Sequence, residues 1–147
     1  MATVSGAGSS VSVDRSDAAM AYALFRLTFG INITMRGIVR IVLGRQAFIT
    51  YMNTQFQNVP VMPQGFLVAF ASVLPYVETV IGLMILFGFQ TRNALIAGSL
   101  MIAALTFGTM MRQDFTIAWL QIDYAFAFFL LLAFRSWNSI SIDGMRS

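Results

Sequence analysis

Cysteine, histidine and lysine are absent from the 147 residues, and only 10% of the chain is charged. Without Cys or His the chain lacks the usual ligands of iron–sulfur clusters, haem and zinc, so no metal site is expected and any redox centre belongs to a partner. The missing thiols also exclude dithiol exchange by this chain. All nine basic residues are Arg, against six acids. They form no cluster and several sit inside apolar runs, so the pI near 10.0 is not the footprint of a nucleic-acid binder. Residues 1–16 lack a basic segment followed by an apolar one and read as a disordered tail, not a signal peptide.

What is abundant is apolar surface: 58% hydrophobic residues and a mean hydropathy of +0.76, far outside the range of a soluble domain. The solvent is lipid. About 20 apolar residues cross a bilayer as a helix, and residues 66–89 do so with one ionisable group, Glu78, near the middle. Further spans are predicted at about 18–43, 94–111 and 115–134. Asp17 is placed to cap the first. The predicted fold is therefore an all-α membrane protein. Its four-transmembrane-helix up-down bundle occupies residues 17–137, and a C-terminal tail follows at 138–147. Between the first two spans, Ala47, Phe48, Tyr51, Met52 and Phe56 recur at helical spacing among polar residues, which predicts a short interfacial helix. Pro60 and Pro63 then turn the chain into the second span. Both termini fall on one side, and a slight Arg excess there predicts that this side is cytoplasmic.

The few charges inside the spans carry most of the information. In the first span Arg26, Arg36 and Arg40 share about a third of the helix circumference with Gly30 and Gly37. A stripe of charged and small residues belongs against other helices. Arg40 has a second option, snorkelling to the interface. In the second span Pro75 is expected to kink the helix one turn before Glu78, with Ala71 and Gly82 on the face of the acid. Ala94/Gly98 and Ala104/Gly108 are small-residue pairs suited to close packing of the third span. Asp123 lies mid-way along the fourth, with Trp119 one turn away, and Trp137 marks the exit as an interfacial anchor. Left unpaired, two acids and two guanidiniums at this depth would cost about 10 kcal/mol together, so pairing of Glu78 and Asp123 with Arg26 and Arg36 is expected inside the bundle. The cluster is open to three readings: glue that sets helix register, a polar pocket for a quinone headgroup, small anion or proton path, and contact with a partner subunit. The ten Met residues are read as flexible core filling.

Arg26 with Gly30 and Gly37, Pro75-x-x-Glu78-x-x-x-Gly82, Gly88-x-x-Thr91-Arg92 and Ser141-Ile142-Asp143 together resemble the DoxX family, over residues 20–143. The resemblance implies a four-helix membrane bundle in a bacterial or archaeal plasma membrane, with Arg26, Glu78 and Arg92 at the motif's polar positions. It also implies other membrane subunits as partners, since the family name is tied to a small subunit of a thiosulfate:quinone oxidoreductase. The absence of Cys departs from thiol-exchanging relatives in the wider superfamily. The leading expectation is a non-catalytic subunit of a larger electron-transfer complex that offers a quinone or lipid pocket, with Arg26, Arg36, Gln121 and Tyr124 as candidate donors. The alternatives are a subunit of a thiosulfate:quinone oxidoreductase, whose Arg side chains bind the oxyanion, and a small-solute transporter with a water path past Glu78.

Overall fold

The first helix starts at Arg15 and not at Ala18. In the computed structural model, which describes residues 14–146, the Asp14 carboxylate accepts from the Ser16 amide at 3.0 Å and caps α1, Arg15–Val42. Asp17 falls in the first turn, where a negative charge favours the helix dipole. Of the expected 1–16 tail, residues 14–16 thus belong to the fold, and 1–13 lie outside the described residues.

The remaining elements are α2, Arg45–Phe56; α3, Gln64–Phe87; α4, Thr91–Met111; α5, Phe115–Ala133; and a 3₁₀ turn, Arg135–Trp137. Four of these helices are long and apolar enough to cross a membrane, as the hydropathy pattern predicts, and the short α2 lies between the first two. The chain is an all-α, multi-pass membrane bundle. Trp137, in the 3₁₀ turn, stacks on Phe134 with ring centroids 4.7 Å apart.

Packing is uneven. The antiparallel helices α1 and α3 lie closely together and α4 lies against α5, whereas α1 touches α5 only lightly. The α1/α3 crossing depends on missing side chains. A Cβ on Gly30 would stand 2.7 Å from Leu86 Cα, one on Gly37 would strike Thr79 Oγ1 and the Pro75 carbonyl, and one on Gly82 would strike the Thr34 amide and hydroxyl. Glycine there lets the backbones meet, the main route to helix association where lipid offers no hydrophobic drive. α3 remains helical through Pro75, whose carbonyl accepts the Thr79 hydroxyl at 2.8 Å. Of the two small-residue pairs in α4, Ala94/Gly98 is buried, and a Cβ on Gly98 would enter the Phe128 ring. Ala104/Gly108 makes no such contact: Ala104 is exposed and Gly108 faces Phe56. Phe128 itself packs edge-on against Phe29, centroids 4.7 Å apart, which ties α5 to α1 through the core.

The helix α2 is not merely a surface float. It buries Ile49, Met52 and Phe56 against Leu67 and Ala71 of α3 and leaves Tyr51 exposed. At the opposite end, the expected C-terminal tail from 138 takes part in a folded junction with the end of α3 and the start of α4. Gln90 adopts a left-handed conformation and Thr91 already belongs to α4. The Asp143 carboxylate accepts from the Gln90 and Thr91 amides at 2.8 and 2.6 Å, occupying the positive N-terminus of α4. The Asp143 amide donates to the Gly88 carbonyl at 2.9 Å and the Ile142 amide to that of Phe87 at 3.2 Å. Gly88 ends α3 at φ 65°, ψ 40°, where a Cβ would collide with Ser141 as well as with the backbone preference of L-residues.

The junction predicts a pH response. Burial raises the Asp143 carboxyl, but the Thr91 and Gln90 amides and the nearby Arg146 outweigh it and hold the group below its ordinary 3.8. A depressed carboxylate stabilises the fold fully above the unfolded-state pKa, and the contribution fades as pH falls through the lower folded value. In a Trp119→Phe background, Trp137 fluorescence is therefore expected to hold steady down to about pH 3.8 and to shift below it. Asp143→Asn should show the shifted spectrum already at neutral pH; a wild-type spectrum for that variant would contradict the capping role.

Candidate functional site

Of the expected ionic cluster, the structure pairs one acid. Glu78 is fully buried, and the Arg40 guanidinium donates to its Oε2. The partner is Arg40, neither Arg26 nor Arg36, and Arg40 does not snorkel to the surface. Helix geometry gives the reason: side chains lean toward the N-terminus of their own helix. In an antiparallel pair, Arg40 near the end of α1 therefore leans back toward mid-depth, while Glu78 leans toward the α2 end, and the two meet. Glu78 Oε1 is buried without a hydrogen-bond partner among the described residues.

The same lean carries Arg26 away from the acids. Its guanidinium donates to the carbonyls of Ile85 at 2.6 Å, Leu86 at 2.7 Å and Ile140 at 2.9 Å. These include the terminal carbonyls of α3, which lack intrahelical partners and attract a cation. Arg26 thus fastens α1 to the end of α3 and to the C-terminal segment. Beside it the Tyr22 hydroxyl donates to the Leu131 carbonyl of α5 at 2.8 Å.

Asp123 departs furthest from expectation. It is exposed on the outer face of α5 and forms no hydrogen bond or ion pair among the described residues. The reason is rotational: α5 turns Gln121, Tyr124 and Phe128 inward, which leaves Asp123 on the far side with Trp119 and Phe126. Arg92 is likewise exposed at the start of α4.

Between α2 and the ends of the spans lies a cavity of about 550 Å³, within the range of small-molecule sites. Its walls are largely aromatic, with Phe48 and Phe56 from α2 and Phe66 and Phe70 from α3. Arg36 and Arg40 enter from α1, Gln121 and Tyr124 from α5, and Thr109 and Arg112 from the end of α4. Arg36 donates to the Tyr124 hydroxyl and lies over the same ring, 4.4 Å from its centroid, while Tyr124 donates to Asn32 at 3.0 Å. Arg40 sits 4.6 Å over the Phe48 ring, and Arg112 pairs with Asp114 at 2.7 Å. Three guanidiniums therefore line the cavity and two have carboxylates; Arg36 has none among the described residues, which leaves their side chains with one positive charge in excess. The Gln121 amide donates to Thr109 Oγ1 at 2.9 Å, and its Oε1 is buried with no partner among the described residues.

Comparison with family models, curated proteins and solved structures finds no match. The residues that carry the resemblance noted above separate spatially into two groups. Arg26, Gly88, Thr91, Ser141 and Asp143 build the junction between the α3 end, the α4 start and the C-terminal segment, whereas Pro75, Glu78 and Gly82 belong to the α1/α3 crossing.

Arg36, Arg40, Gln121 and Tyr124 were legible in sequence as polar groups in apolar spans. The aromatic wall was not, because the interfacial pattern of α2 says which residues are apolar and nothing of what lies beneath. The capping role of Asp143 leaves a weaker signal, an acid in a short polar C-terminal segment.

Proposed function

We propose that the chain is a membrane subunit of an electron-transfer assembly that receives a quinone headgroup in the α2-covered cavity, with both termini cytoplasmic. The observation that supports the ligand class is Arg36, a guanidinium without a carboxylate among the described residues, set beside Tyr124 on the wall of an aromatic chamber. Arg36 suits a carbonyl oxygen. A quinone presents such an oxygen, and Phe and Tyr faces contact the ring. Tyr124 holds Arg36 in place, and Glu78 neutralises Arg40, so the site keeps a single spare charge. A bound quinone would supply the electron-carrying chemistry; this chain would bind and orient it and exclude water. The resemblance to the DoxX family supports the assembly half of the reading, and the small Arg excess on the terminal side supports the orientation.

Binding of decylubiquinone to the detergent-purified chain tests the ligand. Arg36→Gln is expected to weaken it about tenfold by calorimetry, since it removes one polar contact to the headgroup. If decylubiquinone fails to bind while native mass spectrometry finds a phospholipid retained in an Arg36-dependent manner, the cavity is a lipid site and the quinone reading is wrong.

A further inference from the structure

Asp123 stands eight residues into the nineteen of α5, about 12 Å along its axis and close to mid-depth. It faces outward between Trp119, 67% exposed, and Phe126, 59% exposed, without a partner among the described residues. A short carboxylate at that depth cannot snorkel to water as Arg or Lys does, and hydrocarbon offers it nothing. Apolar exposure alone would mean only lipid; the acid in its midst does not fit lipid. The chain's own cations lie away from this face. Arg26 is bound to carbonyls, Arg36 to Tyr124, Arg40 to Glu78 and Arg112 to Asp114, and the other five Arg lie at helix ends, in turns or in the C-terminal segment. A second copy could therefore set only another Asp123 or a lipid-facing apolar residue against this face, so it lacks the complementary charge.

We infer that the outer face of α5 around Asp123 is the docking surface for a transmembrane helix of a different protein that presents an Arg or Lys at matching depth. α5 also buries the smallest share of its surface of the four spans, so it is the side of the bundle left open. Trp119 and Phe126 supply flat apolar contact beside the ion pair, an arrangement typical of well-packed interface centres. This rests on the assembly half of the proposed function and not on the cavity ligand.

The test uses the full chain in phosphatidylcholine vesicles. The chain has no native cysteine, so Met145→Cys gives a single labelling site at a position 78% exposed. Energy transfer is measured to a polyleucine transmembrane peptide carrying one central Arg, and to the all-leucine control. The Arg peptide is expected to associate at about tenfold lower mole fraction than the control, and Asp123→Leu should abolish that preference while circular dichroism and thermal midpoint stay unchanged. Equal association of both peptides with the wild-type chain overturns the inference, as does an Arg preference that survives Asp123→Leu. Asp123-dependent transfer between two differently labelled copies would assign the face to a homodimer and overturn it as well. No quinone enters the readout, so failure of decylubiquinone to bind leaves this result standing, and the reverse holds too.

Discussion

Glu78→Gln is expected to lower the stability of the bundle in mild detergent by about 3 kcal/mol, the low end of what breaking a buried ion pair costs. The substitution keeps the shape and removes the charge, so Arg40 is left as a cation without a carboxylate at the base of the α1/α3 crossing. Arg40 also lies over Phe48 and borders the cavity, where water can reach part of it, which keeps the cost from being larger. Adding Arg40→Gln should recover most of the loss, because the pair is then replaced by two neutral groups able to hydrogen-bond. Thermal unfolding of the two single variants and the double variant closes the cycle. If Glu78→Gln melts with the wild type yet loses decylubiquinone binding, the acid serves the ligand and not the fold.

Gly82→Ala is expected to destabilise by about 3 kcal/mol, more than any other single methyl group added to α3. Its new Cβ would land on the Thr34 amide, hydroxyl and Cα, and backbone atoms in a packed helix cannot swing aside. The helices must part, and parting them also pulls Arg40 from Glu78 and Arg26 from the α3 carbonyls. Gly65→Ala, in the same helix, is the matching control. A Cβ there meets nothing within 4 Å, so helix propensity alone acts and a gain of about 0.5 kcal/mol is expected. Opposite signs for the two substitutions in one thermal assay would locate the effect in the crossing; equal effects would mean that the helices are not in close contact at Gly82.

The face of α1 that bears Gly30 and Gly37 was readable, since 3.6-residue periodicity assigns a residue to a side of its own helix, and both glycines do meet α3. The choice among Arg26, Arg36 and Arg40 as partner of Glu78 was not readable from that periodicity. It depends on how far α3 is shifted along α1 and on the direction in which each side chain leans, and both are properties of a pair of helices. Asp123 shows the complementary failure. A charge in a span is expected to face inward, but the rotation of α5 is decided by Phe128 seating on Gly98 and by Tyr124 reaching Arg36, contacts with two other helices.

By itself, then, the sequence determined that the chain lives in a membrane, crosses it four times and carries a short helix between the first two spans, because length and hydropathy of single segments suffice for that. It also determined that no thiol or imidazole chemistry belongs to this chain. Only the tertiary structure decided that Arg40 neutralises Glu78, that Arg26 and Asp143 fasten the far end, that an aromatic cavity lies beneath α2 and that Asp123 is turned outward. Each of these is set by register and rotation between helices, and no helix encodes its neighbour's register in its own periodicity.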